Sequence, residues 1–159
     1  ESGSVRGLCP RAGGSLGYGT GTAPEFRCHG GDLRSGSDPI DLIGGGDELR
    51  RLEYSRRLAH RARNVVAGTM ASTGRALFET ALKGGSQARG VATSGLAEGG
   101  FADLISVDAG TVALAGRSGA AIPASWIFGA GRSRVHSARA RGPKAVPKGR
   151  APARRERAR

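Results

Sequence analysis

Residues 47–58 read DELRRLEYSRRL and form the most regular stretch of the sequence. Apolar side chains recur every three or four residues from Leu49 to Val66, and arginines fill much of the remainder. This spacing is typical of an amphipathic helix that buries one stripe of its surface. We therefore predict a helix that starts with Asp47 as its N-cap and ends before Gly68.

A second helix is predicted directly downstream of the first. It starts at Ser72 or Thr73 and stops at Gly84 and Gly85, because glycine commonly follows the last helical turn. Its inner side carries alanine, leucine and phenylalanine, so this helix is also expected to bury one face. A short third helical segment is predicted at residues 86–89.

Two short strands are predicted upstream of these helices. The first covers Val5–Pro10 and leads into a glycine-rich loop at residues 13–22. A helical turn at residues 24–27 then precedes the second strand, Leu33–Ser37. Because a proline follows Asp38, this aspartate is expected at the end of the strand or in a turn.

After the helices the residue pattern changes back to strands. Residues 101–107 alternate in a way that favours a strand, and residues 111–115 are predicted to form another. Ser125–Phe128 is a compact apolar block that must pack against other elements. Beyond Gly131 the sequence consists mainly of arginine, alanine, proline and glycine.

The composition limits the size of a core and points away from membranes. Glycine accounts for 28 of 159 residues, and the aromatic residues are only four Phe, two Tyr and one Trp, so large anchors for a core are scarce. No apolar run approaches the roughly 18 residues of a membrane span, and no signal-peptide pattern opens the sequence. We therefore expect no membrane association and a cytoplasmic location.

The positive charge of the chain is concentrated in its tail. Of 25 lysines and arginines, eleven fall in residues 132–159, together with only one of the 13 acidic residues. Lysine and arginine displace counterions from phosphates without needing a fold, and a tail rich in proline and charge favours disorder. The tail is therefore predicted to be largely disordered, and weak, non-specific nucleic-acid binding through it is the alternative function outside the enzyme class.

Several common site motifs are absent from the sequence. The three histidines form no His-x-His pair, His60 is expected to be solvated, and Cys9 with Cys28 and His29 has a spacing that matches no usual zinc finger. The glycine run at residues 17–21 lacks the further glycine and the following helix of a dinucleotide-binding motif, so a flexible loop is the better interpretation. No convincing Gly-x-Ser-x-Gly nucleophile is present.

Asp38 is the acidic residue whose context suggests chemistry. It lies in the sequence Gly36-Ser37-Asp38-Pro39, after a predicted strand. A carboxylate at the C-terminal end of a barrel strand can bind a metal ion and accept a proton from metal-bound water. Taken alone, an aspartate before a proline is an ordinary turn residue. Its interpretation therefore depends on the rest of the sequence.

Eight motifs point together to one family. They are GLCP at 7–10, GSD at 36–38, DELRRLEYSRRL at 47–58, STGRALF at 72–78, Gly95-Leu96 with Gly99, ADL at 102–104, LAGR at 114–117 and SWIF at 125–128. On these motifs, roughly residues 3–142 resemble the C-terminal third of an enzyme of the amidohydrolase superfamily, most closely the formimidoylglutamate deiminase family. The ADL motif is only moderately specific, whereas the Leu-Glu-Tyr helix and the SWIF block point more narrowly to the deiminases.

The resemblance implies an α/β fold made of the end of a distorted (β/α)8 barrel and part of a small β-sandwich. Residues 1–92 would hold the last barrel strands and the helices that follow them. Residues 93–131 would return to the β-sandwich domain, and residues 132–159 would form the basic, disordered tail.

The resemblance also implies a reaction and a cofactor. Its family deiminates N-formimino-L-glutamate to N-formyl-L-glutamate and ammonia, a step of histidine degradation, with one divalent metal ion, usually zinc. Asp38 stands where the family has its late aspartate ligand, so Asp38 is the candidate metal ligand and catalytic residue. A homodimer is also implied. Within the superfamily, a guanine deaminase and a chlorotriazine hydrolase are the alternatives.

The sequence departs from the family at several places. The histidine ligands of the family have no counterpart here, Tyr18 replaces an acidic residue, and Pro39 replaces a small polar one. Pro143 and Pro147 interrupt the closing strands, and because proline removes a ladder donor we expect the final hairpin to be damaged or absent. We therefore expect a truncated chain that is inactive alone and binds no stoichiometric zinc.

Overall fold

The computed structural model describes residues 5–19, 32–36, 44–68, 72–91, 95–130 and 135–146. In chain order the elements are β1 (Val5–Leu8), α1 (Pro10–Ser15), β2 (Asp32–Ser35), α2 (Gly45–His60), α3 (Thr73–Ala88), β3 (Leu104–Val107), α4 (Ala121–Ser125), a π-helical turn (Trp126–Ala130), β4 (Val135–Arg139) and β5 (Lys144–Val146). This mixture of helices and strands agrees with the predicted α/β class. The strands within the described ranges form a parallel pair and a three-stranded sheet rather than a closed barrel.

β1 and β2 run parallel and side by side, with Gly7 opposite Arg34 and Leu8 opposite Ser35. Successive side chains of a strand point to opposite faces. Leu8 and Leu33 are buried against the helices, so Gly7 and Arg34 occupy the other face of the pair. Both strands lie where the sequence predicts them, although each ends two residues earlier than expected.

α2 starts and ends earlier than predicted. Its N-cap is Gly44 rather than Asp47, because two further glycines form the first turn and allow it to pack on the indole ring of Trp126. Asp47 lies within the first turn, where its negative charge interacts favourably with the helix dipole. The helix ends at His60, because Arg61 adopts a left-handed backbone conformation with φ of 50°.

α3 begins where the sequence predicts but runs further than expected. The Ser72 hydroxyl accepts a main-chain N–H of the first turn, and the helix continues through Gly84 to Ala88. The predicted stop at the glycine pair is wrong. A Cβ at position 84 would collide with the main chain of Leu33, so glycine serves here for close approach of the helix to β2. The separate segment predicted at residues 86–89 is instead the end of α3.

β3, β4 and β5 form an antiparallel sheet in that order. The hairpin of β4 and β5 is present, with a register shift between Ala138 and Arg139, so the predicted absence is wrong and the predicted damage corresponds to this irregularity. Residues 135–146, within the tail predicted to be disordered, form these two strands and the turn between them. Pro143 lies in the turn between the two strands, where its missing N–H costs no ladder bond, and its carbonyl accepts the N–H of Ala140 at 3.0 Å. Residues 147–159 lie outside the described residues, so their disorder and nucleic-acid binding stay predictions.

The strand predicted at residues 111–115 is also wrong. The segment forms turns in which the N–H groups of Leu114 and Ala115 both donate to the carbonyl of Thr111, at 2.9 Å and 2.8 Å. Asp108 starts these turns, because its carboxylate accepts the N–H two residues further on at 3.0 Å. The turns bury Leu114 without any strand pairing.

The core lies between the helices and the parallel pair. Its buried residues are Leu8, Leu33, Leu49, Leu52, Val66, Leu77 and Ile127. The predicted packing of the SWIF block is confirmed, because Ile127 is fully buried and the ring of Trp126 meets Phe78 edge to face, with centroids 6.1 Å apart. Phe128 stacks on Tyr54 at 5.6 Å. The π-helical turn therefore packs against both α2 and α3 through this block.

The predicted division of the chain into residues 1–92, 93–131 and 132–159 stays a prediction. Ile127 and Leu77 belong to one cluster, so the first two of these segments share a core. In the part of the chain that the structure describes, no helix is long and apolar enough to span a bilayer.

Candidate active site

The carboxyl ends of β1 and β2 meet at one edge of the parallel pair. The N–H of Gly36, directly after β2, donates to the carbonyl of Leu8, the last residue of β1, at 3.0 Å. Catalytic groups of barrel enzymes lie at this edge of their strands. Asp38, the predicted metal ligand and catalytic residue, follows β2 by three positions but lies outside the described residues. Its role therefore stays a prediction.

The chain leaves β1 through the short helix α1 at the same edge. Pro10 is buried at the first helical position, where its missing N–H is not needed. The predicted glycine-rich loop is therefore wrong for residues 13–15, which are helical. A Cβ at Gly13 would collide with the carbonyl oxygen of Gly19, so the chain after α1 folds back against the helix. Tyr18 of this returning segment is 82% exposed.

A buried carboxyl group, Glu48 of α2, holds α1 in place. Its residue is 1% exposed, and its Oε2 accepts the N–H of Arg11 at 3.0 Å. Oε1 has no hydrogen-bond donor among the described residues. Burial raises the pKa of Glu48, and the N–H of Arg11 with the charges of Arg11 and Arg51 only partly opposes this rise. Glu48 thus joins the first turn of α2 to the first turn of α1.

Glu48→Gln is expected to raise the stability of the chain at neutral pH relative to the wild type. A buried acid with a raised pKa binds its proton more tightly in the folded chain than in the unfolded chain, so its contribution is most favourable below the ordinary pKa of 4.5 and is lost as the pH rises through the raised value. Thermal unfolding of both proteins from acid to neutral pH checks this, with Glu79→Gln on the surface of α3 as the control. Wild-type and variant curves that stay parallel over that range would contradict it.

A second buried carboxylate, Glu53, orders the segment that follows α2. Its Oε1 accepts Nε of Arg57 at 2.8 Å and the N–H of Val65 at 3.2 Å, and its Oε2 accepts the N–H of Val66 at 3.0 Å. The helix therefore does not continue toward Gly68 as predicted, because the carboxylate binds main-chain groups that a longer helix would have used internally.

The apolar spacing of α2 predicts its buried stripe but does not reveal that both glutamates lie on it. A usable signal is their spacing, since Glu48 lies four residues before Leu52 and Glu53 lies four residues after Leu49. Residues four apart on a helix share one face. An acidic residue on an apolar stripe is therefore a candidate for a buried carboxyl group.

The described residues do not form a metal site. Within them, no three His, Cys, Asp or Glu side chains come together in a group that could hold an ion. His60 and His136 are exposed, His60 in agreement with its predicted solvated position, and Cys9 is exposed as well. Cys28 and His29 lie outside the described residues. The donors within the described residues therefore form no site for the predicted metal ion.

The described fold has a counterpart among known proteins, although no family profile matches the sequence. The chain is similar to a crystal structure of an amidohydrolase from Brucella melitensis, with a TM-score of 0.86 and 47% sequence identity. This similarity covers 94% of the chain and 33% of that protein. The described fold is therefore similar to a segment of that amidohydrolase structure.

Within this class, the chain is similar to one particular kind of enzyme, formimidoylglutamate deiminase. The protein of that name from Pseudomonas aeruginosa is 39% identical over 136 residues, which are 85% of this chain and 30% of that protein. The resemblance predicted from the sequence motifs is confirmed. The chain spans about a third of the length of both relatives, at 30% and 33%.

Proposed function

We propose that this segment belongs to an amidohydrolase that deiminates N-formimino-L-glutamate to N-formyl-L-glutamate and ammonia. The observation that carries the proposal is the 39% identity over 136 residues to the Pseudomonas aeruginosa formimidoylglutamate deiminase. The similarity in fold to an amidohydrolase at 47% identity supports the same class of hydrolytic reaction.

The proposed reaction needs a group that moves protons at the formimino carbon. Water adds to the carbon–nitrogen double bond, and ammonia then leaves from the same carbon. Both protons of the water end on the departing nitrogen: one is transferred as the water adds, and the hydroxyl proton of the adduct follows as the carbonyl forms and ammonia leaves. A single carboxylate can perform both transfers in turn. We assign this role to Asp38, because it follows β2 by three residues at the edge where barrel enzymes carry catalytic groups.

Asp38 is also the residue that we propose as a ligand for a divalent metal ion, zinc by resemblance. Such an ion, when bound, supplies a Lewis acid. One carboxylate cannot hold a catalytic metal, which needs about three protein ligands. Within the described residues, no cluster of His, Cys, Asp or Glu side chains could hold a metal ion. The remaining ligands would therefore lie in the part of the relatives that this chain does not span.

A chimaera tests the proposal, with residues 1–159 replacing the matching segment of the Pseudomonas aeruginosa deiminase. We expect it to release ammonia from N-formimino-L-glutamate and not from guanine. Asp38→Asn is expected to lower kcat by about 10²–10⁴-fold, the usual contribution of an acid–base group. Asp108→Asn is the matched control, because Asp108 is an exposed turn residue, and it should keep the activity.

Two results would overturn these assignments. Ammonia release from guanine would contradict N-formimino-L-glutamate as the substrate. An Asp38→Asn chimaera with the kcat of the unmutated chimaera would contradict the assignment of Asp38 as the acid–base group. The isolated chain is expected to release no ammonia. Tight binding of one zinc ion per isolated chain, measured by elemental analysis, would contradict the proposal that the other donors lie outside it.

A further inference from the structure

Arg34 places a guanidinium on the open face of the parallel pair. It is the penultimate residue of β2 and lies opposite Gly7, the penultimate residue of β1. Leu8 and Leu33 face the helices and are buried, whereas Arg34 and Gly7 are exposed on the other face. The positive charge therefore lies near the carboxyl ends of both strands, on the side that the helices leave uncovered.

Gly7 lets the guanidinium lie across β1. A Cβ at position 7 would be 3.0 Å from Nε of Arg34, 3.5 Å from Nη2 and 3.6 Å from Cζ. The guanidinium thus rests directly over the main chain of Gly7, and a larger residue there would displace it. The planar guanidinium group can bind a carboxylate through two parallel N–H bonds.

Arg34 is not neutralised within the part of the chain that the structure describes. The ion pairs found there join other arginines to acids, namely Arg50 to Asp47, Arg57 to Glu53, Arg75 to Glu79 and Arg89 to Asp103. None of these acids reaches Arg34. An exposed guanidinium that no internal carboxylate neutralises can bind an external carboxylate.

We propose that Gly7 and Arg34 form a carboxylate seat that binds an anionic substrate. The seat lies at the edge from which the chain continues to Asp38, four residues after Arg34. N-formimino-L-glutamate carries two carboxylates, so the identity of the substrate rests on the proposed function. The affinity for a carboxylate itself rests only on the two residues of the seat.

The test uses the 159-residue chain with glutarate, a dicarboxylate, as the probe. Nitrogen-15 NMR follows the arginine Nε–H groups at constant ionic strength, and the Arg34 signal is assigned by its loss in Arg34→Gln. We expect a saturable shift of the Arg34 signal and a steady signal from Arg117, which is also exposed. Isothermal titration calorimetry should give an affinity about tenfold or more lower in Arg34→Gln, as for loss of one charged hydrogen-bonding group.

Two further variants separate the seat from general charge attraction. Gly7→Ala keeps every charge but fills the space under the guanidinium, and Arg34→Lys keeps the charge but loses the planar fork. Both are expected to weaken glutarate binding severalfold, while Arg117→Gln leaves it unchanged. Circular dichroism of each variant checks that the fold is kept.

The proposal is overturned if the Arg34 signal does not saturate, if Arg117 moves equally, or if Gly7→Ala and Arg34→Lys bind glutarate as tightly as the wild type. These readouts need neither a metal ion nor turnover. A chimaera that releases no ammonia would therefore end the proposed function and leave the outcome of the titration unaffected.

Discussion

Glu53→Ala is expected to lower the free energy of unfolding by about 3–5 kcal/mol, the usual cost of removing one partner from a buried charge pair. The residue is 0% exposed, and its carboxylate accepts hydrogen bonds from Arg57 and from the main chain of Val65 and Val66. In the variant these donors lose their acceptor inside the protein. Urea unfolding followed by circular dichroism measures the change.

Glu79→Ala is the matched control for this variant. Glu79 also pairs with an arginine one helical turn away, Arg75, but its side chain is 47% exposed. A surface pair of this kind contributes about 0.3–0.5 kcal/mol. If Glu53→Ala costs no more than Glu79→Ala, the buried carboxylate does not hold the segment after α2.

Two neighbouring glycines of α3 are expected to respond in opposite ways to alanine. Gly84→Ala should destabilise the chain by about 1–3 kcal/mol or more, because its Cβ has no room beside the main chain of Leu33. Gly85→Ala should stabilise it by up to about 1 kcal/mol, because alanine favours a helix and no atom outside the helix lies within 4 Å of the new Cβ.

The difference between these two variants is the quantity to measure, since both make the same chemical change on adjacent residues. Urea unfolding of both proteins at one pH provides it. Equal effects of either sign would contradict the close approach of α3 to β2 at Gly84. A destabilised Gly85→Ala with an unchanged Gly84→Ala would place α3 in a different rotation about its axis.

The sequence was sufficient to predict α2 and α3, because periodic apolar residues record which face a helix buries, and β1 and β2 were predicted from the proline and glycine residues that bound them. It was less informative about where the helices end. Gly84 has the same local appearance as a helix stop, and only the position of Leu33 in the fold makes it a packing residue. Information of this kind is absent from the spacing of residues along one helix.

The closing hairpin was mispredicted for a related reason. Proline disrupts a strand only where the ladder needs its N–H, and Pro143 lies in the turn between β4 and β5. The strand pairing that decides this joins Arg139 to Lys144 and Ala138 to Val146, which places Pro143 between the paired residues. A single sequence does not show such a register.

In the candidate site too, some residues could be selected from the sequence and others only from the fold. Asp38 was selected by resemblance, and the described strands lead toward it without including it. Glu48 and Arg34 were not selected, because their importance depends on burial against α1 and on the register of β1 with β2. The sequence was enough to identify a possible reacting group, whereas the groups around it could be identified only once the fold was known.

Trp126 gives the chain an internal optical probe, since it is the sole tryptophan. Its ring rests against the first turn of α2 and meets Phe78 of α3. Its fluorescence should therefore report the separation of these helices. Comparing its emission with circular dichroism during denaturation would show whether the two helices separate in the same cooperative transition in which the secondary structure is lost.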